Sequence, residues 1–271
     1  MKTIFAPFAL AAVMLLTSAC GLGTMIGSGN VITQNRGVSG FDKVVLNGTG
    51  EIILTQGDAE ALTIEAEDNL MPYLETVVRN GTLEIGFRNH EFPNFLPTRP
   101  IRYNLTMKDV RGLTVSESGS IDARSLNTDQ LAVEVHGSGN FDAGSLTAGE
   151  LTTRIDGSGN VAVQTLTADG LTSILSGSGS AILAGNVKQQ SLTISGSGKY
   201  EAGQLNSQTA TIAIDGAGTG VVQVAQAMDV QISGSGSVGY YGSSRVTSSI
   251  SGSGSVRQLG QGNAPEASSK F

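Results

Sequence analysis

The sequence predicts an all-β fold, a right-handed parallel β-helix (a solenoid) with rungs of about 20 residues. Three observations predict it. Gly-Ser-Gly recurs at a nearly constant step, an apolar residue stands at a fixed place before each copy, and polar and apolar residues alternate around that place. The copies begin at Gly137, Gly157, Gly177, Gly196, Gly234 and Gly252, with Gly216-Ala217-Gly218 a variant and Glu117-Ser118-Gly119 a degenerate first copy. From 117 onward the steps are 20, 20, 20, 19, 20, 18 and 18.

Composition excludes several other classes. Charged residues are only 14%, against about a quarter in ordinary domains, which argues against coiled coils and bundles. Proline numbers 6 and glycine, at 37, is not every third residue, so the chain is not collagen. A net charge of -7 provides no basic stripe for nucleic acid. The single cysteine leaves no intrachain disulfide and no cysteine-built zinc site.

Residues 1–19 read as a signal peptide. Lys2 precedes an apolar run from Ile4 to Leu16, too short to span a bilayer. The segment Leu16-Thr17-Ser18-Ala19-Cys20-Gly21 resembles a bacterial lipobox, although Thr17 stands where Leu is usual and Leu16 is one place further back. The expected mature chain begins at Cys20. Acyl chains on Cys20 would make the membrane its partner, in the outer membrane if the cell is Gram-negative. Residues 20–30 follow as a tether.

Residues 31–105 lack the period but are rich in strands, and are expected as atypical first rungs or as a cap for the solenoid. Alternation marks strands near Phe41–Asn47, Glu51–Asp58, Leu62–Ala66 and Thr82–Phe87. Between the last two, Asp68 to Val78 reads as a short helix with Asp68 as its N-cap and Pro72 in its first turn. The stretch Asn89 to Pro100 reads as an irregular loop.

Residues 106–259 are the regular rungs. Two places before each marker stand Val115, Val135, Ile155, Leu175, Ile194, Ile214, Ile232 and Ile250. Four places after each marker starts come Ile121, Phe141, Val161, Ala181, Tyr200, Gly220, Val238 and Val256. Leu126, Leu146, Leu166 and Leu205 supply a third apolar position. Glycine suits the corners because it accepts positive φ. Residues 260–271 lack apolar spacing and read as a disordered tail.

The runs Gly40-Phe41-Asp42-Lys43-Val44, Gly50-Glu51-Ile52-Ile53-Leu54-Thr55-Gln56-Gly57 and Gly81-Thr82-Leu83-Glu84-Ile85 resemble the putative auto-transporter adhesin, head GIN domain family. The strand Tyr103-Asn104-Leu105-Thr106-Met107 and the Gly-Ser-Gly rungs extend the resemblance over about residues 38–257. The resemblance implies a right-handed β-helix on the bacterial envelope, with no established catalytic residues to carry over. No series of membrane strands of the autotransporter kind follows Val256, so that part of the family name is not transferred.

Chemistry is sparse. Ser116, His136 and Asp156 precede successive markers, with backbones expected about 5 Å apart, in the order nucleophile, base and orienting acid. A polar ladder tying down turns is the plainer reading. Asp122 and Asp142 fall on adjacent rungs, as a glycosidase pair would, or as solvated surface. Calcium-binding repeats place an aspartate in every nonapeptide, and here aspartate is irregular. His90 and His136 are the only histidines, too few for a metal site. No catalytic, metal or cofactor site is assigned and no cofactor is called for; the assigned site residue is Cys20, for lipidation. The expected function is a non-catalytic envelope lipoprotein, an adhesin-like module binding glycan or an envelope protein. The alternatives are a structural or signalling lipoprotein that meets a partner through its last rung, and a carbohydrate-active enzyme.

Overall fold

The computed structural model describes residues 23–88 and 94–262. The signal peptide, Cys20, His90 and the tail from residue 263 lie outside the described residues.

The strands follow one another in chain order. They are β1 (Thr24–Ile26), β2 (Val31–Arg36), β3 (Lys43–Gly48), β4 (Glu51–Gln56), β5 (Ala61–Glu67), β6 (Leu74–Arg79), β7 (Thr82–Phe87), β8 (Asn94–Leu96), β9 (Arg102–Met107) and β10 (Gly112–Glu117). The long strands β11 (Ser120–Gly137), β12 (Asn140–Gly157), β13 (Asn160–Gly177), β14 (Ser180–Gly196), β15 (Lys199–Gly216) and β16 (Thr219–Gly234) are the regular rungs. The last described turn is made of β17 (Ser237–Tyr241), β18 (Arg245–Gly252) and β19 (Ser255–Gly260). Successive rungs pair in parallel, and like residues stack: Leu126 on Leu146 on Leu166, and Val135 on Ile155 on Leu175. This is the parallel β-solenoid read from the repeat.

The cross-section follows from one rung of sequence. In β12 the buried residues are Phe141, Ala143, Leu146, Ala148, Leu151, Thr153 and Ile155. Strict alternation slips twice, at Gly144-Ser145 and at Gly149-Glu150, where two consecutive residues face out. Each slip is a bend, and with the Gly-Ser-Gly corner the bends give three sides around one apolar core. The long side adds a fourth inward column, Leu131, Leu151 and Leu171, all buried.

The two glycines of each corner are required for different reasons. The first has positive φ, +129° at Gly157 and +116° at Gly177. The second faces inward, and a Cβ there would meet the previous rung's apolar column, Ile155 beneath Gly179. The residue between them continues the ladder through its backbone, as Ser158 N–H donates to Gly137 O at 2.8 Å. Ala217 does the same to Gly196 O at 2.9 Å, so the hydroxyl is dispensable there.

The N-terminal end departs from the expected order. Gly48-Thr49-Gly50 is itself a corner, stacked beneath Glu117-Ser118-Gly119, because β3 pairs in parallel with β10 and β4 with β11. On the other side of β3 and β4 lie β7 and β9, also parallel. The chain therefore lays down β3 and β4, leaves, returns beneath them, and then crosses over to continue above. Where β4 leaves the stack, the Gln56 amide fills the gap in the ladder. It accepts from Asn127 N–H at 2.8 Å and donates to the Lys108 and Asn127 carbonyls at 3.0 and 2.9 Å. Three antiparallel strands close this end: β5 on β9, β2 on β5, and β6 on β7.

The helix expected over Asp68–Val78 is not formed. A single 3-10 turn, Met71–Tyr73, follows Leu70, and β6 begins at Leu74. The β-branched run Thr76-Val77-Val78 pairs with Ile85, Glu84 and Leu83, so the tertiary ladder overrides the N-cap signal. The Asp68 carboxylate instead accepts from Asn30 Nδ2 at 2.8 Å and Asn69 N–H at 2.7 Å. Nor are residues 23–30 a free tether, since β1 pairs with β8 inside the expected irregular loop.

Glu67 holds these segments together. Its side chain is buried at 0% exposure and accepts from Gly29 N–H at 2.6 Å, Thr98 N–H at 2.9 Å and the Thr98 hydroxyl. Burial pushes its carboxyl up, but the donors from Thr98, Gly29 and Arg99 outweigh it and hold the group below its usual value of 4.5. A depressed carboxylate gives its full stabilisation above the unfolded value and loses it as pH falls through the folded one. Glu67→Gln is therefore expected to lower Tm by several degrees at neutral pH, and the gap to wild type should narrow below the carboxylate range. Thermal melts across pH check both.

Candidate functional site

The outward side chains of the long side stand in register columns. The column before the corners runs Ser116, His136, Asp156, Ser176, Ser195, Asp215, Ser233 and Ser251, as the repeat predicts. Four places earlier lies a hydroxyl column, Thr152, Thr172, Ser191 and Thr211. Repetition at the strand spacing sets these polar side chains in straight rows, with Glu134, Arg154 and Ile174 in the row between them.

Ser116, His136 and Asp156 are register neighbours, but their chemistry is not that of a triad. His136 Nδ1 lies 3.3 Å from Asp156 Oδ2, and His136 Nε2 lies 3.3 Å from Glu134 Oε2. Both ring nitrogens face carboxylates, which leaves neither to act as base on Ser116. Asp156 is also held by Arg154 Nε at 2.7 Å. Burial pushes the Asp156 carboxyl up, but Arg154, Ser176 and His136 outweigh it and the group stays below its usual value. The four side chains form a surface ion network.

Asp122 and Asp142 are direct register partners on adjacent rungs. Asp142 is exposed, yet partial desolvation by the flanking rungs raises its carboxyl above its usual value and the Asp122 charge adds to this. Desolvation likewise raises Asp122, with Glu51 contributing. A carboxylate with a raised folded value opposes folding once ionised, so its cost appears as pH rises through that value and vanishes below the unfolded one. Asp142→Asn is expected to raise Tm slightly at neutral pH and leave it unchanged in acid, read by the same melts.

A cleft of about 260 Å³ opens beside the hydroxyl column. Glu150, Asp169, Lys188, Gln189, Thr172 and Thr211 line it. Lys188 Nζ pairs with Asp169 Oδ1 at 2.6 Å. Gly170 stands between Glu150 and Gln189 in its register column, and a Cβ there would run into the Glu150 carboxylate. The missing side chain leaves the place that the Glu150 carboxylate takes at the cleft wall. Sequence reading missed this cleft, and the only signal for it was a glycine away from the markers.

Tyr200 fills a core column, as expected, at 0% exposure. Its hydroxyl donates to Gln190 Oε1 at 3.0 Å, and Gln190 Nε2 donates to Ser207 Oγ at 2.8 Å. Ser207 continues to the Gln223 carbonyl at 2.8 Å, and Thr153 donates to Ser173 Oγ at 2.9 Å. Among the described residues, no group of three or more His, Cys, Asp or Glu is placed to hold a metal ion.

Comparison with curated proteins finds no match. Among solved structures, the chain is similar to a putative lipid binding protein from Parabacteroides distasonis. The two are 27% identical over 88% of this chain and 100% of that one, with a TM-score of 0.83. A putative adhesin from Parabacteroides merdae is 22% identical, over 87% and 99% of the two chains, with a TM-score of 0.83. A putative adhesin from Bacteroides fragilis is 23% identical, over 87% and 100%, with a TM-score of 0.67. At those identities the two adhesin structures speak to the fold. The family model for the putative auto-transporter adhesin, head GIN domain matches residues 40–164 and 144–244. With that match spanning most of the solenoid, on the rungs whose corners and columns are described above, the chain belongs to the putative auto-transporter adhesin, head GIN domain family.

Proposed function

We propose that this protein is a non-catalytic binding module of the bacterial cell envelope, adhesin-like in role and held to the membrane by acyl chains on Cys20. The observation that carries the reading is the long side. Its hydroxyls repeat in register beside a cleft built without aromatic residues or a triad. Such a surface suits an extended polar ligand, and a glycan is the class it fits best. Family membership supports adhesion. The printed name of the Parabacteroides distasonis relative adds lipid as a ligand class to include.

The test exposes the chain from Gly21 onward to immobilised glycans, matrix proteins and lipids, with retention and released fragments both read by mass spectrometry. Retention of intact ligand is the expected result. Release of fragments would overturn the reading in favour of a carbohydrate-active enzyme. A second reading, contact with another envelope protein, is favoured by Ile250 and Leu259, exposed at 42% and 38% on the last described turn. Crosslinking in cells that depends on Ile250 would support it.

A further inference from the structure

The two-stranded sheet β1–β8 lies outside the solenoid, and its two faces differ. The inward residues Met25 and Phe95 are half-buried. Phe95 stacks on Phe87 at 4.2 Å with the rings nearly parallel, and its ring lies 5.5 Å from that of Tyr73. The outward face carries Ile26 and Leu96, register partners exposed at 59% and 55%. Val31 and Ile32, on the neighbouring edge strand β2, are exposed as well. Two exposed apolar side chains, Ile26 and Leu96, thus stand side by side on a sheet braced from behind by stacked rings.

Chain length sets what can cover this face. Thr24 is four residues from Cys20, a reach of about 14 Å at full extension. Acyl chains on Cys20 would hold the β1–β8 sheet within that distance of the bilayer. Arg88 and Arg99 flank β8 and are exposed. Glu67 and Asp68 stay ionised nearby, their oxygens taken up by Gly29 and Thr98 and by Asn30 and Asn69, so the positive charge at this face comes from Arg88 and Arg99.

We propose that the outward face of β1–β8 is a membrane contact, with Ile26 and Leu96 entering the headgroup boundary of an anionic bilayer and Arg88 and Arg99 at the level of its phosphates. The proposal rests on the reading of Cys20 as the lipid anchor. A lipid surface is favoured over a second copy because a small apolar patch is far below the roughly 1,000 Å² that a specific protein interface buries. Amphipathic surfaces beside an anchor bind by apolar insertion together with attraction to anionic lipid. The contact would turn a flexible attachment into an oriented one, with the cap against the membrane and the rungs leading away.

The chain from Gly21 onward keeps every described residue and lacks the acylation site. It is sedimented with vesicles of phosphatidylcholine alone or with added phosphatidylglycerol. Binding is expected with phosphatidylglycerol, and the double change Ile26→Asp and Leu96→Asp should weaken it about tenfold or more. Ile53→Asp, at an exposed apolar residue of β4 that pairs with neither β1 nor β8, should leave it unchanged. Both replaced residues are exposed, and an unaltered Tm confirms the fold. In the full acylated chain on the same vesicles, amide exchange over residues 24–26 and 94–96 should be slower than in the double variant. Equal vesicle binding by wild type and double variant would overturn the proposal, as would a dimer that the double variant abolishes. The mass of the N-terminal peptide tests Cys20 separately. An unmodified cysteine there would remove the anchor, while the vesicle result reads the face alone.

Discussion

Gly157→Ala is expected to destabilise the solenoid by about 3 kcal/mol or more, whereas Ser158→Ala, one residue away, is expected to change stability by less than about 0.5 kcal/mol. Gly157 has φ +129°, a region that L side chains rarely adopt. A Cβ built there lies 2.5 Å from the Gly137 carbonyl oxygen and 3.1 Å from its Cα. The obstructing atoms are backbone of the previous rung, already hydrogen-bonded, as Gly137 O accepts from Ser158 N–H. They cannot move without opening the ladder, so strain and clash act together. Ser158 contributes its backbone, and Ala217 already occupies the same place three corners later. Urea unfolding of the two variants checks the contrast. Equal midpoints would mean that the corners tolerate a side chain and that the repeat has another cause.

Tyr200→Ala should be comparably severe, about 3–5 kcal/mol for the cavity alone. The ring occupies a column in which its register neighbours are Ala181 and Gly220, so the volume removed is not shared with large side chains above or below. The change also strips Gln190 Oε1 of its buried donor. Tyr200→Phe separates the two effects. It keeps the ring and removes only the hydroxyl, and is expected to cost about 1–3 kcal/mol. If Tyr200→Phe proves neutral, the polar chain from Tyr200 through Gln190 to Ser207 does not stabilise the core.

The regular rungs were legible in the sequence because stacking is translation. A residue that works in one rung works in the next, so Val135, Ile155 and Leu175 reveal the inward face without any structure. The cap was not legible, because its partners are set by crossing rather than by spacing. Gly48-Thr49-Gly50 differs from a marker by one methyl-bearing side chain, yet it lies far from Glu117-Ser118-Gly119 in sequence, and only the β3–β10 pairing brings the two together. The helix expected from Asp68 failed for a related reason. Its capping signal was local, and the strand partner of Val77 and Val78 was not. At the surface, the column of Ser116, His136 and Asp156 was read in the right register. Its chemistry depended on Glu134 and Arg154, which the one-residue-per-rung pattern did not include. The cleft is lined at Gly170, over which the Glu150 carboxylate leans, and a single sequence marks such a place only as one glycine among 37.

The crossover at the capped end sets a constraint on the order of assembly. β3 and β4 are flanked on one side by β7 and β9 and on the other by β10 and β11. A chain exported N-terminus first would release β3 and β4 well before either flank. The flank of β7 and β9 emerges first, so the cap can close by residue 107 and offer the free edges of β3 and β4 as the template on which β10, β11 and each later rung are laid. Those edges would have to wait, open, until residues beyond Ser120 had emerged. Chaperones that shield extended segments during export would be needed most for this stretch, and least for the self-similar rungs that follow.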